Sequence, residues 1–177
     1  INVFNEYFGR GLSSIVFQEI RESKSLAYSA YVYYAANGEL NHPDYVTTYI
    51  GTQANKLPQA VNAMDELMAN LPQVPAQFEN AKNAALKQIA SGRINRTNIF
   101  FNQMNLKKLG IDYDLRKDMY AEIEKLTLAD VTNFYNNEIK PMKYNTAIIG
   151  KKENLDMSAI NKMGTFHEVT LEEIFGY

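Results

Sequence analysis

The chain has 177 residues, of which 46% are hydrophobic and 21% are charged, and its formal net charge is -2. This composition is typical of a globular protein and differs from that of a disordered or strongly charged chain. A pI near 5.8 argues against a nucleic-acid surface, which is usually basic, and no apolar run approaches the roughly 20 residues that cross a bilayer.

Cysteine is absent, which excludes disulfides, thiolate zinc ligands and cysteine nucleophiles and leaves the redox compartment open. The chain starts at Ile1, without methionine and without the basic region and cleavage site of a signal peptide. We therefore expect a mature product or an excised fragment, with any targeting signal upstream.

The N-terminal residues predict two helices that are separated by glycines. Four apolar residues have helical spacing: Val3, Phe4, Tyr7 and Phe8. Gly9–Gly11 interrupts this helix, and Ser13 or Ser14 is suited to cap a second helix over 14–23. Arg21 then lies in the last turn of the second helix, where a cation suits the helix dipole.

A β-hairpin is predicted next. Aromatic residues alternate over 28–35, and 45–52 has a second alternating pattern, so both segments are typical of strands. Asn37-Gly38 and the turn at His42 break the chain between them, which favours antiparallel pairing.

The rest of the chain is predicted to be mostly helical. The first of these helices is expected to begin at Asn55 and end before Pro72, and further helices are expected over 75–92, 98–109 and 156–163. Another is expected to begin at Asp114, and one over 128–138 is preceded by a Thr127–Asp130 capping box. Strands are expected over 143–150 and 166–169. Residues 1–177 thus predict a single α+β domain with three or four strands. Because a hairpin needs further sheet beside it, we also expect a strand upstream of Ile1.

Arg21 and Tyr28 are the strongest candidates for chemistry, since they lie seven residues apart where a helix joins a strand. They could simply be a solvated arginine and a half-buried tyrosine. Alternatively, the guanidinium could bind peptide carbonyls, and the neutral phenol could donate to a developing oxyanion. The spacing alone leaves both interpretations open.

The stretch from Glu6 to Ser29 contains Ser-x-x-Phe leading to Arg21 and a Leu-Ala-Tyr that ends at Tyr28. This stretch resembles the C-terminal half of the insulinase/pitrilysin family of zinc peptidases. The likeness continues through 49–52, 78–82, 126–131 and 171–177.

The resemblance implies a mitochondrial-processing-peptidase-like metallohydrolase fold, with a mostly antiparallel sheet against several helices. In this family two homologous halves close around a peptide substrate, and the N-terminal half holds zinc in a His-x-x-Glu-His motif. The C-terminal half supplies an arginine and a tyrosine. These roles would fall on Arg21 for substrate binding, and on Tyr28 for substrate binding and catalytic stabilisation of the oxyanion.

The zinc motif itself does not occur in the chain, so we expect zinc in a companion N-terminal half and no cleavage by this chain alone. The companion would be part of the same polypeptide or a separate subunit. A non-catalytic scaffold or peptide-binding subunit of the same fold is the alternative. Two departures from the family pattern are Arg10, where small glycines are common, and Ser25, where glycine is frequent.

The histidines and the tyrosines of the first predicted strand are two further groups of candidate residues. His42 and His167 lie far apart in sequence and without ligand spacing, so neither is expected to bind a metal. The tyrosines Tyr31, Tyr33 and Tyr34 could line a peptide groove or serve strand packing.

Overall fold

The computed structural model describes residues 1–93 and 95–177. Helix α1 consists of an α-helical turn (Asn2–Phe4) and its π-helical continuation (Asn5–Gly9), and it is followed by the π-helical α2 (Phe17–Ser23). Strands β1 (Ser29–Ala35) and β2 (Tyr45–Gly51) form an antiparallel hairpin. Further helices are α3 (Leu57–Ala69), α4 (Pro75–Ser91), α5 (Arg96–Lys108), α6 (Arg116–Lys125), α7 (Leu128–Phe134, continuing as the π-helical Tyr135–Ile139), α8 (Met157–Met163) and α9 (Leu171–Phe175). None of the described helices is long and apolar enough to cross a membrane.

The architecture is therefore α+β, as predicted, and the described residues form a two-stranded sheet with many helices. The hairpin and the predicted helices are confirmed with shifts of a few residues at their ends. The predicted capping box is also present, since the side chains of Thr127 and Asp130 each accept the other's backbone N–H.

The strands predicted over 143–150 and 166–169 are wrong, because neither segment forms a ladder with another described strand. Strand geometry requires a neighbour to pair with, and the segment over 143–150 is largely exposed, with Ile149 fully so. The segment over 166–169 instead leads into α9, whose Thr170–Glu173 capping box fixes the start of a helix.

The hydrophobic core lies between the N-terminal helices, β1 and helices α4 and α7. Tyr7 and Phe8 of α1 are fully buried, and the Phe8 ring meets the Tyr135 ring edge-on, with 6.0 Å between centroids. The Tyr7 hydroxyl donates to the Pro72 carbonyl (2.6 Å) and accepts the Val74 N–H (3.0 Å). Helix α1 is thus fixed to the connection between α3 and α4.

Helix α1 also covers the outer edge of β1. The buried side-chain amide of Asn5 donates to the Tyr34 carbonyl (3.0 Å), and its oxygen accepts the Tyr34 N–H (2.8 Å). Both backbone groups of Tyr34 therefore point away from β2. An unpaired strand edge is a hazard for aggregation, and the Asn5 amide satisfies this edge in place of another strand.

The hairpin loop is closed by Asp44. One carboxylate oxygen accepts the Asn37 backbone N–H (2.7 Å), and the other accepts the Tyr34 hydroxyl (2.8 Å). These two hydrogen bonds lower the pKa of Asp44 below its usual 3.8. Burial, assisted by the carboxylate of Asp44, raises the pKa of Tyr34 to about 12.

Replacing Asp44 with asparagine is expected to lower the melting temperature at neutral pH, because the amide keeps only one acceptor oxygen. The folded-state pKa of Asp44 is depressed, so its contribution is present above pH 3.8 and disappears as the pH falls through the folded-state pKa. Melting curves from about pH 6 to about pH 2 should therefore show the gap between wild type and Asp44→Asn closing. The exposed Asp112→Asn serves as the control, and a gap that stays constant with pH would contradict this role.

Candidate functional site

Helix α2 presents Arg21 at the rim of the core. Ser14 caps the helical turn at 15–16 that leads into α2: its hydroxyl oxygen accepts the Phe17 N–H (3.4 Å) and its hydroxyl donates to the Gly11 carbonyl (2.9 Å). Ile20 is fully buried and fixes the rotation of the helix against the core. The neighbouring Arg21 side chain is 37% exposed, so its guanidinium reaches solvent from a fixed backbone.

A tight turn joins α2 to β1 at Ser25, whose φ of +51° lies in the left-handed region. The N–H groups of Ser25 and Leu26 donate to the carbonyls of Arg21 (3.2 Å) and Ile20 (2.9 Å). Left-handed geometry is costly for a residue with a Cβ and free of that cost for glycine. This gives the physical reason why glycine suits this position, and Ser25 adopts the same turn with some backbone strain.

The end of β2 fixes the backbone around Tyr28. The Tyr28 N–H donates to the Gly51 carbonyl (2.9 Å), and the Thr52 hydroxyl donates to the Leu26 carbonyl (2.5 Å). On the other side of the turn, the Lys56 ammonium donates to the Ser25 carbonyl (3.0 Å). Residues 49–52 are distant in sequence from Arg21, but through these contacts they lie next to the turn that joins Arg21 to Tyr28.

The structure brings Arg21 and Tyr28 together. The guanidinium carbon of Arg21 lies 5.3 Å from the centroid of the Tyr28 ring and 4.7 Å from that of the Phe17 ring. Both distances are within the range of cation–π attraction. The guanidinium is therefore oriented by two aromatic rings, while its ion pair with Glu22, at 3.5 Å, is solvent-exposed.

Both side chains are accessible to a ligand. Tyr28 is 83% exposed, so its phenol can approach a group outside the chain. A guanidinium carries five N–H donors and a neutral phenol carries one. The pair can donate several hydrogen bonds to carbonyl or oxyanion oxygens. Phe17 was missed as a site residue, although its position four residues before Arg21 on one helix face was a usable signal.

The described residues do not fit a zinc ion. No group of three or more His, Cys, Asp or Glu side chains in 1–93 and 95–177 could hold a metal. The Nε2 atom of His42 lies 3.8 Å from a carboxylate oxygen of Glu39, and Nε2 of His167 lies 3.2 Å from one of Glu173. Both pairs are exposed. The side chains of 1–93 and 95–177 thus offer no ligand set for zinc.

The three tyrosines of β1 divide between the two faces of the hairpin. Tyr34 is 4% exposed and belongs to the core. Tyr31 and Tyr33 lie on the exposed face, where Tyr31 stacks on Tyr49 of β2 with ring centroids 5.1 Å apart. The aromatic face that remains open to ligands is thus formed by Tyr31, Tyr33 and Tyr49.

Comparison with known proteins finds a family that the N-terminal part of the chain resembles. Residues 1–85 match the family model described as the peptidase M16 inactive domain. This part of the chain is therefore similar to the M16 peptidase family. A Bacillus subtilis (strain 168) protein described as "Uncharacterized zinc protease YmxG" is 36% identical over 83 residues, which are 45% of this chain and 20% of that relative.

The M16 match confirms the insulinase/pitrilysin resemblance over the stretch that contains the candidate site. Arg21 and Tyr28 both lie inside the matched residues 1–85. The resemblance noted for 126–131 and 171–177 lies outside the match and stays a prediction. This chain spans about a fifth of the length of the zinc protease relative.

Proposed function

We propose that this chain is the substrate-binding C-terminal domain of a two-half zinc endopeptidase, with residues 1–177 as one domain of the mitochondrial-processing-peptidase-like metallohydrolase fold. The observation that carries the proposal is the distance of 5.3 Å between the Arg21 guanidinium carbon and the exposed Tyr28 ring. The pair lies within the part of the chain that matches the family's inactive domain.

Arg21 and Tyr28 have separate roles in this proposal. Arg21 donates hydrogen bonds to backbone carbonyls of the bound peptide and so fixes its register. Tyr28 donates its hydroxyl proton in a hydrogen bond to the oxyanion that develops when the scissile carbonyl is attacked. Because the rings of Phe17 and Tyr28 hold the guanidinium, the donors are oriented before the substrate arrives.

Zinc and its bound water belong, in this proposal, to a companion N-terminal half, in the same polypeptide or in a separate subunit. The description of the Bacillus relative as a zinc protease supports this arrangement. A His-x-x-Glu-His motif elsewhere in the gene product or in its neighbour would support the peptidase. The absence of that motif from both would favour a non-catalytic scaffold or peptide-binding subunit.

Replacing Arg21 with glutamine in the complete protein tests the substrate-binding role. Hydrogen bonds to a charged group contribute about 1.5–3 kcal/mol, so KM for a peptide substrate should rise by roughly tenfold or more. The value of kcat should change less, since the guanidinium binds the peptide in both ground and transition states.

Lys24→Gln is the matched control, because it removes a cation from the same end of α2, where Lys24 pairs with Glu66 at 3.6 Å. An equal rise in KM in both variants, or none in Arg21→Gln, would contradict the role of Arg21. Peptide binding by the wild-type protein without turnover would favour the scaffold alternative.

A further inference from the structure

A polar cleft of about 340 Å³ lies where the end of α1 and the exposed side of β1 meet the chain around the end of α4. Three arginines line it, Arg10, Arg93 and Arg116, and Glu6 is the one acidic residue among the described residues of its wall. The amide side chains of Asn2, Gln88 and Asn102 also contribute to the lining. The cleft is therefore rich in hydrogen-bond donors.

The cleft carries an excess of positive charge. Arg116 is neutralised by Asp114, whose two oxygens accept its Nε–H at 2.9 and 3.0 Å. Arg10 and Arg93 form no ion pair within the described parts of the chain. Two cations thus face one carboxylate, although the chain as a whole has a net charge of -2. Local charge of this kind attracts anionic groups.

Arg10 is held in position by Tyr33. Its guanidinium carbon lies 5.6 Å from the centroid of the Tyr33 ring, which orients the planar group without using its N–H donors. The ring belongs to β1, five residues after Tyr28 in sequence. At about 3.3 Å per residue this separation is about 17 Å along the strand, a span that an extended peptide of about six residues covers.

We propose that the Arg10–Arg93 cleft binds an acidic side chain of the peptide substrate and gives the enzyme a preference for Asp or Glu several residues away from the bond held at Tyr28. This inference rests on the proposed function. Guanidinium groups bind carboxylates through paired N–H donors. The volume of about 340 Å³ is at the small end of ligand pockets, which suits one or two side chains.

The test measures binding of capped, fluorescently labelled nonapeptides to the complete protein by anisotropy, with a chelator present so that no peptide is cleaved during the measurement. The peptides differ only at one position, Asp or Asn, which is moved stepwise along the sequence; acetylated and amidated ends remove the terminal charges. At least one Asp peptide should bind about fivefold or more tightly than its Asn counterpart, and the difference should shrink at high salt.

Three variants of residues that line the cleft test whether it causes the preference for Asp: two should abolish the preference and one should increase it. Arg10→Gln and Arg93→Gln should each bring the Asp-to-Asn ratio close to one, whereas Glu6→Gln should increase it. Increased affinity is not a result of unfolding. Lys87→Gln is the control, because Lys87 is exposed on α4 and does not line the cleft.

Equal binding of all Asp and Asn peptides by the wild type, or an unchanged ratio in both arginine variants, would overturn the inference. Turnover of a peptide substrate by a Tyr28→Phe variant of the complete protein tests the proposed function separately. A ratio lost in Arg10→Gln together with full turnover in Tyr28→Phe would support the cleft and contradict the proposed role of Tyr28.

Discussion

Replacing Tyr28 with phenylalanine in the complete peptidase is expected to lower kcat at least tenfold and to leave the fold intact. The substitution removes one hydroxyl from a side chain that is 83% exposed, so the core is unaffected. The ring remains, and with it the contact to the Arg21 guanidinium at 5.3 Å. Loss of a single oxyanion donor typically costs about 2.7–4 kcal/mol, or about 10²–10³ in kcat.

The control for this experiment is Tyr45→Phe, which makes the same chemical change on a tyrosine that is 58% exposed at the far end of the hairpin. Its kcat and melting temperature should equal those of the wild type. The measurement is steady-state turnover of a peptide substrate, with circular dichroism to compare the folds. Unchanged turnover in Tyr28→Phe would exclude the oxyanion role, and an equal loss in both variants would exclude one that is specific to Tyr28.

The proximity of Arg21 and Tyr28 was accessible from the sequence, because a helix and a strand joined by a few residues bring their adjoining ends close together. The details that orient the pair were not. The left-handed turn at Ser25, the hydrogen bond that the Gly51 carbonyl accepts and the one that the Thr52 hydroxyl donates depend on how β2 returns to the end of α2. Periodicity reports which face of an element is apolar, but it does not report such contacts between elements.

The fold shows the same division between local and long-range determinants. The helices and the hairpin were predicted because apolar spacing and capping residues act within a few residues of each other. The prediction of a strand over 143–150 was wrong, because a strand forms only where another strand pairs with it and this segment pairs with no described strand. Helix α9 was missed although its capping box, Thr170–Glu173, is a local signal that the sequence contains.

The most important feature that was not predicted is the fit of α1 against β1. Asn5 is 5% exposed within an otherwise apolar helix face, and its amide replaces a neighbouring strand at Tyr34. One turn later, Gly9 lies against the backbone of Val32. Because α1 leads into α2 and β1 follows the turn after α2, this contact helps to set the relative position of the elements that carry Arg21 and Tyr28.

Replacing Gly9 with alanine is therefore expected to destabilise the protein by about 3 kcal/mol or more. A Cβ at this position would lie 1.9 Å from the Val32 carbonyl oxygen and 2.6 Å from its carbon. Both are backbone atoms, so no side-chain rotation relieves the clash. Helix α1 must move away from β1, and that movement also stretches the two hydrogen bonds between Asn5 and Tyr34.

Gly38→Ala separates this steric effect from the general effect of removing a glycine. No atom of the described residues lies within 4 Å of a Cβ at Gly38, and the φ of Gly38 is not in the left-handed region. The free energy of unfolding of Gly38→Ala should therefore stay within about 0.5 kcal/mol of the wild-type value. Urea unfolding followed by circular dichroism measures both variants. Equal stabilities of Gly9→Ala and Gly38→Ala would show that the contact between α1 and β1 tolerates a Cβ, and the distance between Gly9 and Val32 would then not determine how α2 and β1 present Arg21 and Tyr28.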